Sequence, residues 1–297
     1  MMCTKAMDSV GGKTMNDTET WTVASGRVLD LNPYCIVGIV NVTPDSFYDG
    51  GLFFRQDEAV DQTLRLFEQG AAVVDIGGES TRPFSERIDA REELRRVMPV
   101  ISRVQASLPE ACLSVDTYKS EVAARVLEAG VAMINDVSAC RFDPALIDVL
   151  VSYQPGYVLM HSLGRPEEMQ KDPRYRDVVD DIHAFFEARM NDLVKAGLAE
   201  EHIALDPGIG FGKFLEHNLR LLQQIDRFFD LGRPMYLGLS NKSMWEKLLG
   251  LPSGKRQTAT QVATALLAAK GVRVHRVHEV ELTRQTLEIV RNLTGGE

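Results

Sequence analysis

Carboxylates, amides and cations stand where short apolar runs stop. Asn41 follows Ile36–Val40, Asp116 follows Cys112–Val115, Asn135 follows Ala132–Ile134, and Asp206 follows Ile203–Leu205. A carboxylate accepts from a pair of amino N–H groups, and an asparagine offers one donor and one acceptor. Buried together, such groups must find partners, and the polar edge of a flat heterocycle would supply them. Asp116-Thr117 and Asp206-Pro207 also read as helix caps or turn formers. The cations Arg82, Lys242, Arg276 and His278 follow other runs. Arg276 and His278 alternate, which places them on one face of a strand. In a chain of net charge -9, Arg82, Arg276 and His278 beside Asn41 suggest an anionic substrate group such as a phosphate or pyrophosphate. A planar guanidinium grips phosphate oxygens two at a time. Scattered surface ion pairs are the alternative.

Two further stretches offer less. "LDPGIGFGK", Leu205–Lys213, holds three glycines but lacks the GK[ST] ending of a phosphate loop. Glycine there lets the backbone approach a flat ligand, and Phe211 could stack on it; a tight connecting loop is the equal alternative. His161 in "LMHSLG" is isolated and reads as a packed residue. HExxH and CxxC motifs are absent.

The elements that must position these groups repeat along the chain. The apolar runs are Ile36–Val40, Ala72–Ile76, Cys112–Val115, Ala132–Ile134, Tyr157–Met160, Ile203–Leu205, Met235–Leu239 and Val272–Val277. Between them lie amphipathic segments such as Asp57–Glu68 and Glu121–Glu128, and "RDVVDDIHAFFEARMNDLVKAG", which ends at Gly197 as a helix should. Strands alternating with helices over roughly 250 residues predict an α/β fold, a (β/α)8 TIM barrel. An open doubly wound sheet is the alternative, disfavoured by the repeat number and the missing GxGxxG. "WTVASGRVLDL" predicts an N-terminal β-hairpin closing the barrel floor. Residues 1–20 read as a disordered leader and 21–297 as one domain. Barrel enzymes carry their chemistry at the C-terminal strand ends, where each run meets a polar group.

Composition narrows the classes. The 297 residues are 44% hydrophobic and 25% charged, ordinary for a globular protein. The acidic balance argues against nucleic acid or an anionic membrane surface as partner. No apolar run reaches the roughly 18 residues of a membrane span. Cys3, Cys35, Cys112 and Cys140 lie far apart, as reduced thiols of a cytoplasmic protein would.

"NVTPDSFYDGG", "DIGGESTRP", "SVDTYKSEVAARVLEAGVAMINDVSA", "LDPGIGFGK", "LGLSNKS" and "RVHEV", in this order from about Trp21 onward, resemble the dihydropteroate synthase family of pterin-binding barrels. The resemblance implies folate biosynthesis: a dihydropterin pyrophosphate loses pyrophosphate and para-aminobenzoate takes its place. Departure precedes attack, through a carbocation-like pterin. Asp116, Asn135, Asp206 and Lys242 match the family's pterin-reading positions. Asn41, Thr81, Arg82, Arg276 and His278 match its pyrophosphate site, with Asn41 also on a magnesium ion. Phe47, Pro83 and Ser243 match the aminobenzoate pocket, and Asp49 the residue facing the developing cation. Loops Val42–Phe53 and Ser80–Arg87 are expected to close and exclude water, which would otherwise capture the cation.

The chain departs from the family at Asn241 (usually Arg), at Glu279 (usually Asp) and in "MHSLGRPEEMQ". Asn241 removes a cation beside Lys242 and bears on the amine side and on sulfonamide sensitivity. A corrinoid-linked pterin methyltransferase shares the pterin reader but has no use for Arg82, Arg276 and His278. A non-catalytic pterin binder is a third reading. The Ala-rich Gln257–Gly271 segment, apolar around much of its circumference, predicts a helix covered on two sides, and the resemblance also implies a homodimer.

Overall fold

A computed structural model of the chain describes residues 20–43, 52–80, 87–165, 169 and 172–295, and only the backbone of 52–55. Eight parallel strands form the barrel wall: β3 (Cys35–Asn41), β4 (Val73–Gly77), β5 (Leu113–Asp116), β6 (Met133–Asp136), β7 (Gly156–Met160), β8 (Ile203–Asp206), β9 (Tyr236–Leu237) and β10 (Val274–Val277). They lie in the order β8-β7-β6-β5-β4-β3-β10-β9. A bridge between Leu205 and Met235 joins β8 to the start of β9 and closes the barrel. These β-branched runs are buried on both faces because helices cover the outside, as parallel sheets require. The covering helices are α1 (Leu52–Glu68), α2 (Ala90–Ser107), α3 (Ser120–Glu128), α4 (Leu146–Tyr153), α5 (Val178–Ala196), α6 (Leu215–Gln223), α7 (Met244–Leu249), α8 (Gln257–Ala269) and α9 (Val280–Thr294).

The expected hairpin is present and seals one end. β1 (Thr20–Thr22) and β2 (Val28–Asp30) pair antiparallel. Trp21 is fully buried, and its indole N–H donates to the His202 carbonyl at 2.7 Å. It packs with Val23, Leu29 and Leu31 against the inward residues Cys35, Val37, Val73, Cys112, Met133, Val158, Ala204, Tyr236 and Val274. Gly156 makes room for the plug: a Cβ there would lie 2.7 Å from Val23 Cγ1.

Several boundaries differ from the sequence expectation for physical reasons. Strand β9 stops before Leu239 because the Leu239 carbonyl accepts from the Trp245 indole at 3.0 Å. Strand β10 starts at Val274 because the Val272 N–H closes the end of α8 on Leu267 O. Asn41 is the last residue of β3, not the first beyond it. Helix α1 begins at Leu52, before the predicted Asp57. Thr20 pairs with Asp30; the rest of the expected leader, residues 1–19, lies outside the described residues.

Candidate active site

Along five of the strands the inward side chains change character toward the C-terminal end. Val73 gives way to Asp75, Cys112 to Ser114 and Asp116, Met133 to Asn135, Ala204 to Asp206, and Val274 to Arg276. The period of two keeps all of these on the inner face. The register joins four of the ends in one row: Asn41 pairs with Gly77, Gly77 with Asp116, and Asp116 with Asn135. Gly77 leaves open the space between its neighbours, since a Cβ there would be 3.5 Å from Asn41 Oδ1 and 3.8 Å from Asp116 Cβ.

Asp75 is the hub of the polar layer. It is wholly buried and accepts from Ser114 Oγ at 2.6 Å, Asn135 Nδ2 at 2.8 Å and Arg276 Nε at 2.7 Å. Arg276 Nη2 donates to Asp116 Oδ2 at 3.0 Å. The guanidinium therefore bridges two carboxylates. Burial opposes its charge, but Asp75 and Asp116 outweigh that and push its pKa up. Its Nη1 donates to nothing among the described residues. With the Asn135 amide nitrogen fixed on Asp75, the Asn135 carbonyl oxygen is left as an acceptor. Asp116 Oδ1 is buried and has no partner among the described residues. Burial, aided by Asp75 and opposed by Arg276, pushes the Asp116 carboxyl up to about 7.

Asp206 and Lys242 complete the ring. Burial also raises the Asp206 pKa, against the Gly208 N–H that donates to Oδ1 at 2.7 Å. The Lys242 ammonium lies 4.3 Å from the centre of the Phe211 ring, a cation–π contact. Burial brings Lys242 down to about 8, against the pull of Asp206. Its position follows from the preceding residue. Asn241 has φ 58°, a left-handed conformation that asparagine tolerates better than most side chains. Arg256, itself buried, donates to the Asn241 carbonyl at 2.9 Å and so ties this loop to the start of α8. Ser243 is exposed at the start of α7. His278 Nδ1 meets Ser240 Oγ at 2.9 Å.

The structure thus brings together Asn41, Asp116, Asn135, Asp206, Phe211, Lys242, Ser243, Arg276 and His278 at the C-terminal ends of the strands or in the loops that follow them. Phe47, Asp49, Thr81, Arg82 and Pro83 lie outside the described residues. Asp75, which opens the strand-end stretch "DIGGESTRP", and Lys213, which closes "LDPGIGFGK", are polar residues of this region to which the sequence reading gave no role, and Ser114 was not selected. A carboxylate inside the β-branched run "AVVDIGG" was the available signal for the first. Among the described residues no three His, Cys, Asp or Glu side chains gather as a metal site.

Comparison with known proteins agrees with this geometry. The family described as pterin binding enzyme matches residues 37–278. The dihydropteroate synthase of Haemophilus influenzae is 38% identical over 266 residues, covering 90% of this chain and 96% of that protein. A Yersinia pestis dihydropteroate synthase solved in a sulfonamide drug complex superposes with a TM-score of 0.87 at 37% identity, over 93% of this chain and 100% of that one. The Xanthomonas albilineans enzyme with 4-aminobenzoic acid gives 0.86 at 39% identity, over 94% of this chain and 100% of that one.

Proposed function

Because the chain belongs to the pterin-binding enzymes, among the dihydropteroate synthases, we infer that it joins a dihydropterin methyl pyrophosphate to para-aminobenzoate in folate biosynthesis. The C–O bond to pyrophosphate breaks first, and its electron pair leaves with the pyrophosphate. The amine lone pair then forms the C–N bond to the pterin methylene, and the amine proton passes to solvent.

The observation that carries this reading is the unpartnered Asp116 Oδ1 in a ring with the Asn135 carbonyl oxygen, Asp206 and Lys242. Three acceptors and one donor suit a ring edge rich in N–H groups with one acceptor of its own. The same carboxylates face the positive charge that develops on the pterin, in a site where water does not screen them. Arg276 Nη1, left over from the carboxylate bridge, and His278 are assigned to the departing pyrophosphate together with Thr81 and Arg82. Phe47, Pro83 and Ser243 are assigned to the amine, and Asp49 to the cation.

The Asn41 amide, exposed at the end of β3, fits a magnesium ion held mainly by substrate oxygens and water, which needs few protein ligands. Bound there, magnesium would neutralise pyrophosphate charge. A single barrel domain over 21–297, a homodimer and a cytoplasmic location complete the assignment. Supporting the dimer, Val262 and Leu266 on α8 and Leu282, Ile289 and Leu293 on α9 are exposed apolar side chains, on helices that pack together through Gln261 and Thr283. Supporting the location, the described cysteines Cys35, Cys112 and Cys140 are unpaired.

The direct test incubates purified protein with both substrates and magnesium and follows dihydropteroate by chromatography with mass detection. Pyrophosphate release matched by dihydropteroate is the expected result; no product at high enzyme concentration refutes the assignment.

A further inference from the structure

Lys213 is 2% exposed, yet among the described residues its ammonium meets no carboxylate. Its Nζ lies 3.0 Å from the Gly208 carbonyl, 3.0 Å from the Phe211 carbonyl, 3.3 Å from the His161 carbonyl and 3.0 Å from His161 Nδ1. A lysine ordinarily keeps its ammonium in water. Burying one among neutral acceptors costs stability unless each of its protons is used. Here they are used on a single segment, residues 206–213, and on the residue that closes β7.

That segment bears two residues of the site. Gly208 is the joint. Its N–H donates to the Asp206 carboxylate at 2.7 Å while its carbonyl accepts from Lys213. With φ +68° and a Cβ position only 2.0 Å from the His161 carbonyl oxygen, it can only be glycine. Three residues on, the Phe211 carbonyl is fixed by the same ammonium, and the Phe211 ring faces Lys242. His161, isolated in the sequence, supplies the remaining acceptors. Its ring stands edge-on to Phe185 at 4.8 Å. Burial first, then Lys213 and Arg141, lower its pKa to about 2, so the ring stays neutral; facing an ammonium at 3.0 Å, its Nδ1 is assigned as the acceptor. Tyr175 Oη donates to Gly212 O at 2.9 Å, and Asn218 Oδ1 accepts from Gly210 N at 2.8 Å. Those bonds hold the outer side of the loop; Lys213 holds the carbonyls next to the site.

We propose that Lys213, seated on His161, is a positioning residue for pterin recognition: it sets the glycine loop so that Asp206 and Phe211 meet the pterin. This rests on the function proposed above. It makes a one-sided prediction, because the loop serves the pterin and not the amine.

The test compares Lys213→Met and His161→Phe with the unaltered enzyme, reading KM for each substrate and, by calorimetry without amine, the Kd for the dihydropterin pyrophosphate. In Lys213→Met of unchanged circular dichroism, pterin Kd and KM should rise about tenfold while the aminobenzoate KM stays within about twofold. His161→Phe keeps the ring packing and loses one acceptor, so it should raise the pterin values about threefold. Folded Lys213→Met with unchanged pterin affinity overturns the proposal, as do parallel rises in both KM values. If Lys213→Met fails to fold, His161→Phe decides by the same criteria. Absence of turnover in the unaltered enzyme would strike the proposed function; turnover with an indifferent Lys213→Met strikes only this inference.

Discussion

One guanidinium between two buried carboxylates sets the chemistry of the site at the scale of single residues. Arg276 pairs with both Asp75 and Asp116, and only Asp116 keeps an oxygen for a ligand. Removing the cation leaves both acids buried and uncompensated. Arg276→Met should therefore lose about 3–5 kcal/mol of stability by urea denaturation at neutral pH, besides losing activity. Acidity supplies a second expectation. Burial holds Asp116 at about 7, above the ordinary aspartate value of about 3.9. Folding of the ligand-free protein thus favours the protonated carboxyl. Its stabilising contribution is full below about pH 4 and is lost as the pH rises through about 7. A pterin that donates to Asp116 favours the carboxylate instead. Pterin binding should then release protons and weaken as pH falls below about 7. Calorimetry at about pH 6 in buffers of different protonation enthalpy reads that release, and Asp116→Asn should abolish it.

The elements explain what could be read in advance. Asn41, Asp116, Asn135 and Asp206 were legible because a buried strand has no ordinary reason to end on a polar residue, and a barrel gathers its strand ends. Asp75 was visible only as the start of "DIGGESTRP"; its role was not, because it stands within its strand, where the hydrogen bonds from Ser114, Asn135 and Arg276 give it meaning. The His161–Lys213 contact spans 52 residues of sequence, so neither residue type announced it. Individual roles came from the family's motifs and not from periodicity, which gives faces and boundaries but no ligands. Boundaries slipped where loop carbonyls and helix ends took the hydrogen bonds, as at Leu239 and Val272. The hairpin was legible as a plug, and its worth can be measured. Trp21→Ala should cost about 3–5 kcal/mol by chemical denaturation, as truncation of a buried aromatic does. Because Trp21 lies at the end of the barrel away from Asp116, kcat of the folded fraction should stay within about twofold.

The whole molecule presents an unbalanced outer surface. Most of the barrel is ringed by amphipathic helices with polar outer faces. The α8–α9 side instead exposes Val262, Leu266, Leu282, Ile289 and Leu293. An apolar face of this kind marks an association surface, and a closed two-fold dimer is the commonest way to cover one. If the proposed dimer forms through this face, light scattering at micromolar concentration should give a dimer for the unaltered protein and a monomer for Leu266→Glu, with the far-UV spectrum unchanged.

The hairpin also governs traffic. With Trp21 and its neighbours filling one end of the barrel, everything must enter and depart by the other. The proposed pterin berth is deep, with Asp116 8% and Asn135 5% exposed, whereas Asn41 and Ser243 stand at the rim. Whatever arrives second blocks the exit of whatever came first. The bicyclic substrate should enter before the amine, and the joined product should be last out. Product-inhibition kinetics can read this queue: dihydropteroate should compete with the pterin substrate but not with para-aminobenzoate.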